Sequence, residues 1–200
     1  MKYLVIDVES TGLEPGYHEI IQLGACLFDE NWNELGTFLT NVYPLHEERF
    51  SIPAMGVHQL SLHDLKDAPM IYDVIPKFES WILRTLKKPE TARNALKDLI
   101  LCGQSVSFDI NFLHFAYREA KYDWPFSSKV LDLHILAFYY FTILKNNNLP
   151  TPKSLSLDSI AEYFGLKRKS EGHNALEDAL ITGKCIALIM NESKKFKIQP

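Results

Sequence analysis

Asp7 with Glu9, Asp109, and Asp178, together with His173 five positions before the last of them, are the groups in this chain whose types and spacing could do chemistry. Asp7-Val8-Glu9 ends the apolar run Tyr3-Leu4-Val5-Ile6, which reads as a buried strand, and the period-two alternation of a strand sends both carboxylates to one side. Asp109 follows a second apolar run, Leu99-Ile100-Leu101-Cys102, and a small-residue turn from Gly103 to Phe108; Asp178 lies on a late amphipathic segment. An acidic pair at a strand end is, taken alone, more often a solvated or turn-capping feature. Three separate segments that each offer hard oxygen donors point instead to Mg²⁺ or Mn²⁺, ions that stabilise the attacking and leaving oxygens of a phosphodiester under hydrolysis. Inside one helix, five positions would make His173 and Asp178 diverge by roughly 140°. The histidine therefore belongs in the preceding loop, from where an imidazole, ordinarily titrating near neutrality, can act as general base.

The elements that must position these groups follow from periodicity. After the first strand, Gly12 to Gly16 reads as a turn, and Glu19 to Asp29 with Glu34 to Val42 reads as a hairpin around Asn31-Trp32-Asn33. Pro44 to Ala68 is irregular with short helical pieces, and Met70 to Leu86 carries helix-period apolar residues. The polar stretch Lys87 to Asp98 reads as a surface insertion ahead of the next strand. Helices are predicted over Phe112 to Ala120, Leu133 to Lys145, Ser156 to Phe164 and Ala175 to Asn191, with a short strand at Lys129 to Leu131. Three antiparallel strands followed by strand and helix alternation predict an α/β fold, a ribonuclease H-like mixed sheet flanked by helices.

Two hundred residues with 46% hydrophobic content suffice for one domain, placed at residues 1–191 with a polar tail over 192–200. A net charge of −4 argues against broad electrostatic capture of long nucleic acid, which leaves room for an enzyme that grips only a chain end. Cys26, Cys102 and Cys185 are an odd, widely spaced set and read as buried reduced thiols, consistent with a cytoplasmic location. The N-terminus enters a strand without a basic leader, and the longest apolar stretch, Ile135 to Leu144, is too short to span a bilayer, so membrane residence is not expected.

Asp7-Val8-Glu9-Ser10-Thr11-Gly12-Leu13, Gly103-Gln104-Ser105-Val106-Ser107-Phe108-Asp109 and Gly172-His173-Asn174-Ala175-Leu176-Glu177-Asp178-Ala179 resemble, in order, the three exonuclease motifs of the DEDD superfamily. The His-x4-Asp spacing resembles its DEDDh branch, the DnaQ-like 3′-to-5′ exonucleases, over nearly the whole chain. The resemblance implies that Asp7, Glu9 and Asp178 ligate one divalent ion and that Asp7 and Asp109 engage a second. It assigns His173 as general base for in-line attack on the terminal phosphodiester of single-stranded DNA or RNA 3′ ends, releasing nucleoside 5′-monophosphates.

Among substrate contacts, it places Thr11 at a backbone contact to the terminal 3′-hydroxyl and Leu13 as a wedge between the last bases, and Phe108 or Phe112 could supply a stacking face. Gln104 and Ser105 depart from the His and Asn of many relatives, which alters the usual polar support beside Asp109. Asp132 reads as the cap of the following helix, with support of the site as the alternative. The run Phe138 to Phe141 reads as core and interface, hinting at self-association. Lys167-Arg168-Lys169 is either a solvated basic loop or a phosphate contact. The competing functions are an accessory or proofreading subunit beside a polymerase, and a ribonuclease H-like endonuclease, which the histidine spacing disfavours.

Overall fold

In the computed structural model, residues 1–169 and 172–192 are described. A five-stranded sheet in the order β3-β2-β1-β4-β5 is built on β1 (Lys2–Ser10). Strand β2 (Ile20–Phe28) runs antiparallel to β1 with Tyr3 opposite Phe28 and Glu9 opposite Gln22, and β3 (Glu34–Asn41) closes the predicted hairpin. On the other side, β4 (Leu99–Gly103) and β5 (Val130–Asp132) run parallel, Lys2 to Val5 matching Leu99 to Cys102. Helices α1 (Ile52–His58) and α2 (Leu62–Leu65) lie in the long connection to α3 (Ile71–Thr85), and α4 (Ser107–Glu119) follows β4. The chain finishes with α5 (Leu133–Asn146), α6 (Leu157–Tyr163) and α7 (Ala175–Glu192). The ribonuclease H-like mixed sheet expected from the sequence is the one observed.

Strand alternation splits the core into two layers. Leu4, Ile6 and Val8 point to one face, where they pack with Val74, Ile75 and Phe78 of α3 and Phe112 and Leu113 of α4. Tyr3 and Val5 point to the other, against Leu133 and Ala137 of α5, Ile160 of α6 and Cys185 and Ile186 of α7. Strand β2 is buried along its whole length because both layers cover it. Asp7 and Glu9, in phase with Tyr3 and Val5, therefore share the face on which α7 lies.

Local differences from the sequence reading have physical causes. Strand β1 continues to Ser10 because β2 still pairs there, so Asp7 and Glu9 stand inside the strand rather than at its end. Helix α4 starts at Ser107, five residues before the predicted start, because Ser105 takes a left-handed conformation (φ 56°) that turns the chain directly into the helix. The 87–98 stretch is no free surface insertion: Leu96 is fully buried, and the Arg93 guanidinium donates to both oxygens of buried Glu79, at 2.7 and 2.8 Å, and to the Asp123 carbonyl. Asp132 does both things weighed for it, accepting from His134 and Ile135 as the cap of α5 and from the Ser105 and Val106 amides ahead of α4. Of the aromatic run, Tyr140 and Phe141 are core, whereas Phe138 and Tyr139 are exposed beside Ile135. All three cysteines are buried and unpaired. Residues 193–200 of the expected tail lie outside the described residues, and Glu192 belongs to α7.

Candidate active site

The site forms where β1 outruns its parallel neighbour. The last matched pair between β1 and β4 is Val5 with Cys102, so the backbone of β1 beyond that point needs other partners on this side. Asp109, in the first turn of α4, supplies one: its Oδ1 accepts from the Val8 amide at 2.9 Å, between Asp7 and Glu9. The third segment is docked from the opposite side. Gly24 of β2, opposite Asp7, has no side chain because a Cβ there would overlap the Ala175–Leu176 peptide at the start of α7. Next to it, buried Gln22 accepts the Ala175 amide on its Oε1 at 2.9 Å and so satisfies a free amide of the helix N-terminus. Asn174 accepts from the Glu177 amide at 3.1 Å and completes the cap.

This docking brings Asp178, in the first turn of α7, to the carboxylates of β1. Ligand atoms of Glu9, His173 and Asp178 lie within 4.8 Å of one another. His173 stands in the loop before α7, as the spacing requires; its amide donates to the Val57 carbonyl at 3.3 Å and its Nδ1 lies 3.2 Å from Asp178 Oδ2. The loop is held close, since a Cβ on Gly172 would press on the Gln59 side chain.

Electrostatics identify the cluster as strained. Burial, then repulsion from Asp109, Asp178 and Glu9, pushes Asp7 well above the usual carboxylate range. Burial raises Asp109 to about 8 even though the Val8 amide opposes the shift. Glu9 rises to about 7 through burial and Asp178. Asp178 is raised by burial against the opposing pull of Arg168 and His173. Like charges forced together in a low-dielectric cleft call for cations, and an all-carboxylate oxygen set with one imidazole at its edge fits Mg²⁺ or Mn²⁺.

The expected substrate contacts fare unevenly. Leu13, four residues after Glu9, is 79% exposed and so accessible to a substrate. Thr11 is fully buried: its amide donates to the Glu19 carbonyl at 2.9 Å, its carbonyl accepts from Ser51, and its Oγ1 accepts from the Glu19 amide. With those groups committed, Thr11 shapes the loop and has no amide left for a 3′-hydroxyl. Phe112 is 1% exposed, three residues after Asp109 on the core side of α4, and cannot stack a base. Phe108 packs its ring at 4.8 Å from that of Phe112 and retains partial exposure.

Two contributions escaped sequence reasoning. Gln22 and Gly24 lie in the Glu19 to Asp29 segment, read from the sequence as one arm of a hairpin, and their docking of α7 is visible only in three dimensions. Arg168 turns inward from the basic run while Lys167 and Lys169 stay exposed; its Nε is 2.7 Å from Asp158 Oδ1 and its Nη1 2.5 Å from Asp178 Oδ1.

A family model described as an exonuclease, RNase_T, matches residues 4–186, and the chain belongs to that family. Within it, the order of motifs and the histidine place the chain among the DEDDh, DnaQ-like 3′-to-5′ exonucleases. It is 27% identical over 197 residues to the 3′-5′ DNA exonuclease Cap18 of Escherichia coli, covering 98% of this chain and 95% of that protein. A PolC-type DNA polymerase III of Caldanaerobacter subterraneus is also 27% identical over 99% of this chain, and the 3′-5′ exonuclease DinG of Staphylococcus aureus 25% identical over 98%. The chain spans 12% of that polymerase and 19% of DinG. Among solved structures, E. coli exonuclease I in complex with a dT13 oligonucleotide superposes with a TM-score of 0.77 at 16% identity, covering 97% of this chain and 42% of that one. The nuclease domain of 3′hExo, a DEDDh member bound to rAMP, superposes with a TM-score of 0.69 at 17% identity, covering 100% and 96%. These two likenesses are of fold.

Proposed function

We propose that the chain hydrolyses the terminal phosphodiester at the 3′ end of single-stranded DNA or RNA, with divalent cations, and releases nucleoside 5′-monophosphates. The observation that supports this most is the convergence of Asp7, Glu9, Asp109 and Asp178 with His173 3.2 Å from Asp178. Asp7, Glu9 and Asp178 would hold one Mg²⁺ or Mn²⁺, and Asp7 and Asp109 a second. Bound there, such ions neutralise the carboxylates and the charge that develops on the phosphoryl oxygens. His173 takes the proton of the attacking water; the new O–P bond forms as the bond to the penultimate 3′-oxygen breaks, so the phosphate leaves on the terminal nucleotide. Asp178, through Oδ2, holds the imidazole in place for that transfer. Leu13 wedges against the last base, and the partly exposed Phe108 offers a ring edge. Positioning and charge neutralisation supply most of the rate, and no covalent nucleophile is needed.

The match to a segment of a PolC-type polymerase favours a second reading, a proofreading module whose work depends on a polymerase-type partner. The test is a 5′-labelled strand, as DNA and as RNA, with a 3′-hydroxyl or a 3′-phosphate. The first reading expects the isolated chain to give a descending ladder and nucleoside 5′-monophosphate, slowed strongly by the 3′-phosphate. Equal rates on blocked and free ends, or cleavage of a circle, contradict it, and activity only beside a polymerase supports the second. No described helix is long and apolar enough to cross a membrane.

A further inference from the structure

We propose that Arg168 is a built-in counter-cation of the carboxylate cluster, which a divalent ion must displace from Asp178, so that this residue sets the cation affinity of the site. The inference rests on the cation-dependent reading above and adds to it a competitor supplied by the chain itself.

The geometry is specific. The guanidinium bridges Asp158 on α6, at 2.7 Å, and Asp178 on α7, at 2.5 Å. Its side chain is only 15% exposed, whereas Asp158 is 67% exposed, so the arginine is anchored from the solvent side and aimed into the site. The Asp178 contact is a close ion pair between Nη1 and Oδ1. With Oδ2 of Asp178 beside His173 and Oδ1 beside Arg168, both oxygens of a ligand carboxylate have a partner. The field of Arg168 also reaches Glu9 and Asp7, where it opposes the repulsion among the acids.

An arginine cannot shed its charge by losing a proton, so it leaves this role only by moving. A divalent ion that takes up Asp178 and Glu9 meets a fixed positive charge at the same oxygen, and two cations at contact distance repel. Binding is therefore an exchange: the ion gains Asp178, and the guanidinium keeps Asp158. The anchor, Asp158 on α6, is exposed, so the guanidinium has a partner to keep when it leaves Asp178.

The test is Mn²⁺ binding measured by electron paramagnetic resonance of the free ion, without nucleic acid, for wild type, Arg168→Gln and Arg168→Lys, with circular dichroism as the check on folding. Arg168→Gln removes the competitor and is expected to bind Mn²⁺ more tightly by roughly three- to thirtyfold, the size of a partly solvated ion pair. Arg168→Lys keeps the charge and should stay within about threefold of wild type. An Arg168→Gln protein that folds and binds no more tightly than wild type overturns the proposal. If that variant does not fold, the Arg168 Nε–H resonance of wild type, assigned by its loss in Arg168→Lys, decides: it should move with the Mg²⁺ binding curve, and a resonance unmoved at saturation overturns the exchange. Failure of wild type and Arg168→Gln alike to take up Mn²⁺ would instead sink the cation-dependent reading itself.

Discussion

Asp109 Oδ1 accepts the backbone amide of Val8 at 2.9 Å, at the height where β4 no longer pairs with β1. The second motif is thereby bonded to the backbone between the two carboxylates of the first. Asp109→Asn keeps an acceptor for that amide and loses the charge, so it should fold normally and lose at least about 100-fold in turnover. Asp109→Leu orphans a buried amide as well and should be less stable than Asp109→Asn by about 1–3 kcal/mol. Denaturant melts of the pair check the structural half, and equal stabilities would argue that the bond contributes nothing.

Stability in chelator should fall as pH rises. Glu9 titrates at about 7 and Asp109 at about 8 in the folded chain, against ordinary values of 4.5 and 3.8 in the unfolded one. Between those limits the folded state binds more protons than the unfolded state, so unfolding free energy decreases with pH. The contribution is fully present below about pH 4 and is gone above about 8. Melting in EDTA should drop by roughly 5 °C or more from pH 5.5 to 8.5, with each pKa unit near 1.4 kcal/mol, and millimolar Mg²⁺ should restore most of the loss. A melting temperature flat over this range, or unaffected by Mg²⁺, contradicts the strained cluster.

Gly24 controls how closely α7 approaches β2. Adding a methyl group forces the Ala175–Leu176 peptide away, so Gly24→Ala should destabilise by about 1–3 kcal/mol through overpacking. Because the same shift moves Asp178 and His173, activity at a temperature where the variant is folded should fall by more than tenfold. Activity retained in a folded, destabilised variant would show that α7 can move without disturbing the site.

On the proposed mechanism, His173→Ala removes the general base and leaves the carboxylates proposed to hold cations. Its single-turnover rate should drop by roughly 10² to 10⁴, with strand affinity changed little. Poor binding combined with a near-normal rate at saturation would make His173 a positioning residue instead.

The candidate site groups were legible because their positions obey local rules. Strand alternation put Asp7 and Glu9 on one side, and the five-residue offset put His173 in a loop. What failed depends on where a neighbouring element lies. Phe112 looked like a base-stacking ring until α4 was seen to start at Ser107, which turns it into the core. Thr11 looked free to offer its amide, but the Glu19 carbonyl accepts it, and the Ser51 amide donates to the Thr11 carbonyl. Leu96 was hidden in a polar stretch, with too little pattern around it to announce a buried residue. Arg168 stood in a run that read as either solvated or phosphate-binding, and only the packing of α6 beside α7 shows that its charge is spent on carboxylates.

The most direct test of the account is degradation of a 5′-labelled single strand by wild type and Asp7→Asn, each in excess EDTA and then with Mg²⁺ or Mn²⁺ restored. Asp7 is the carboxylate that feels all three others, so the account predicts no cleavage in chelator and recovery with either ion for wild type. For a folded Asp7→Asn it predicts a loss of at least about 1,000-fold under every condition. Sustained 3′-end cleavage in excess chelator, or a folded Asp7→Asn protein that works at the wild-type rate, would contradict it.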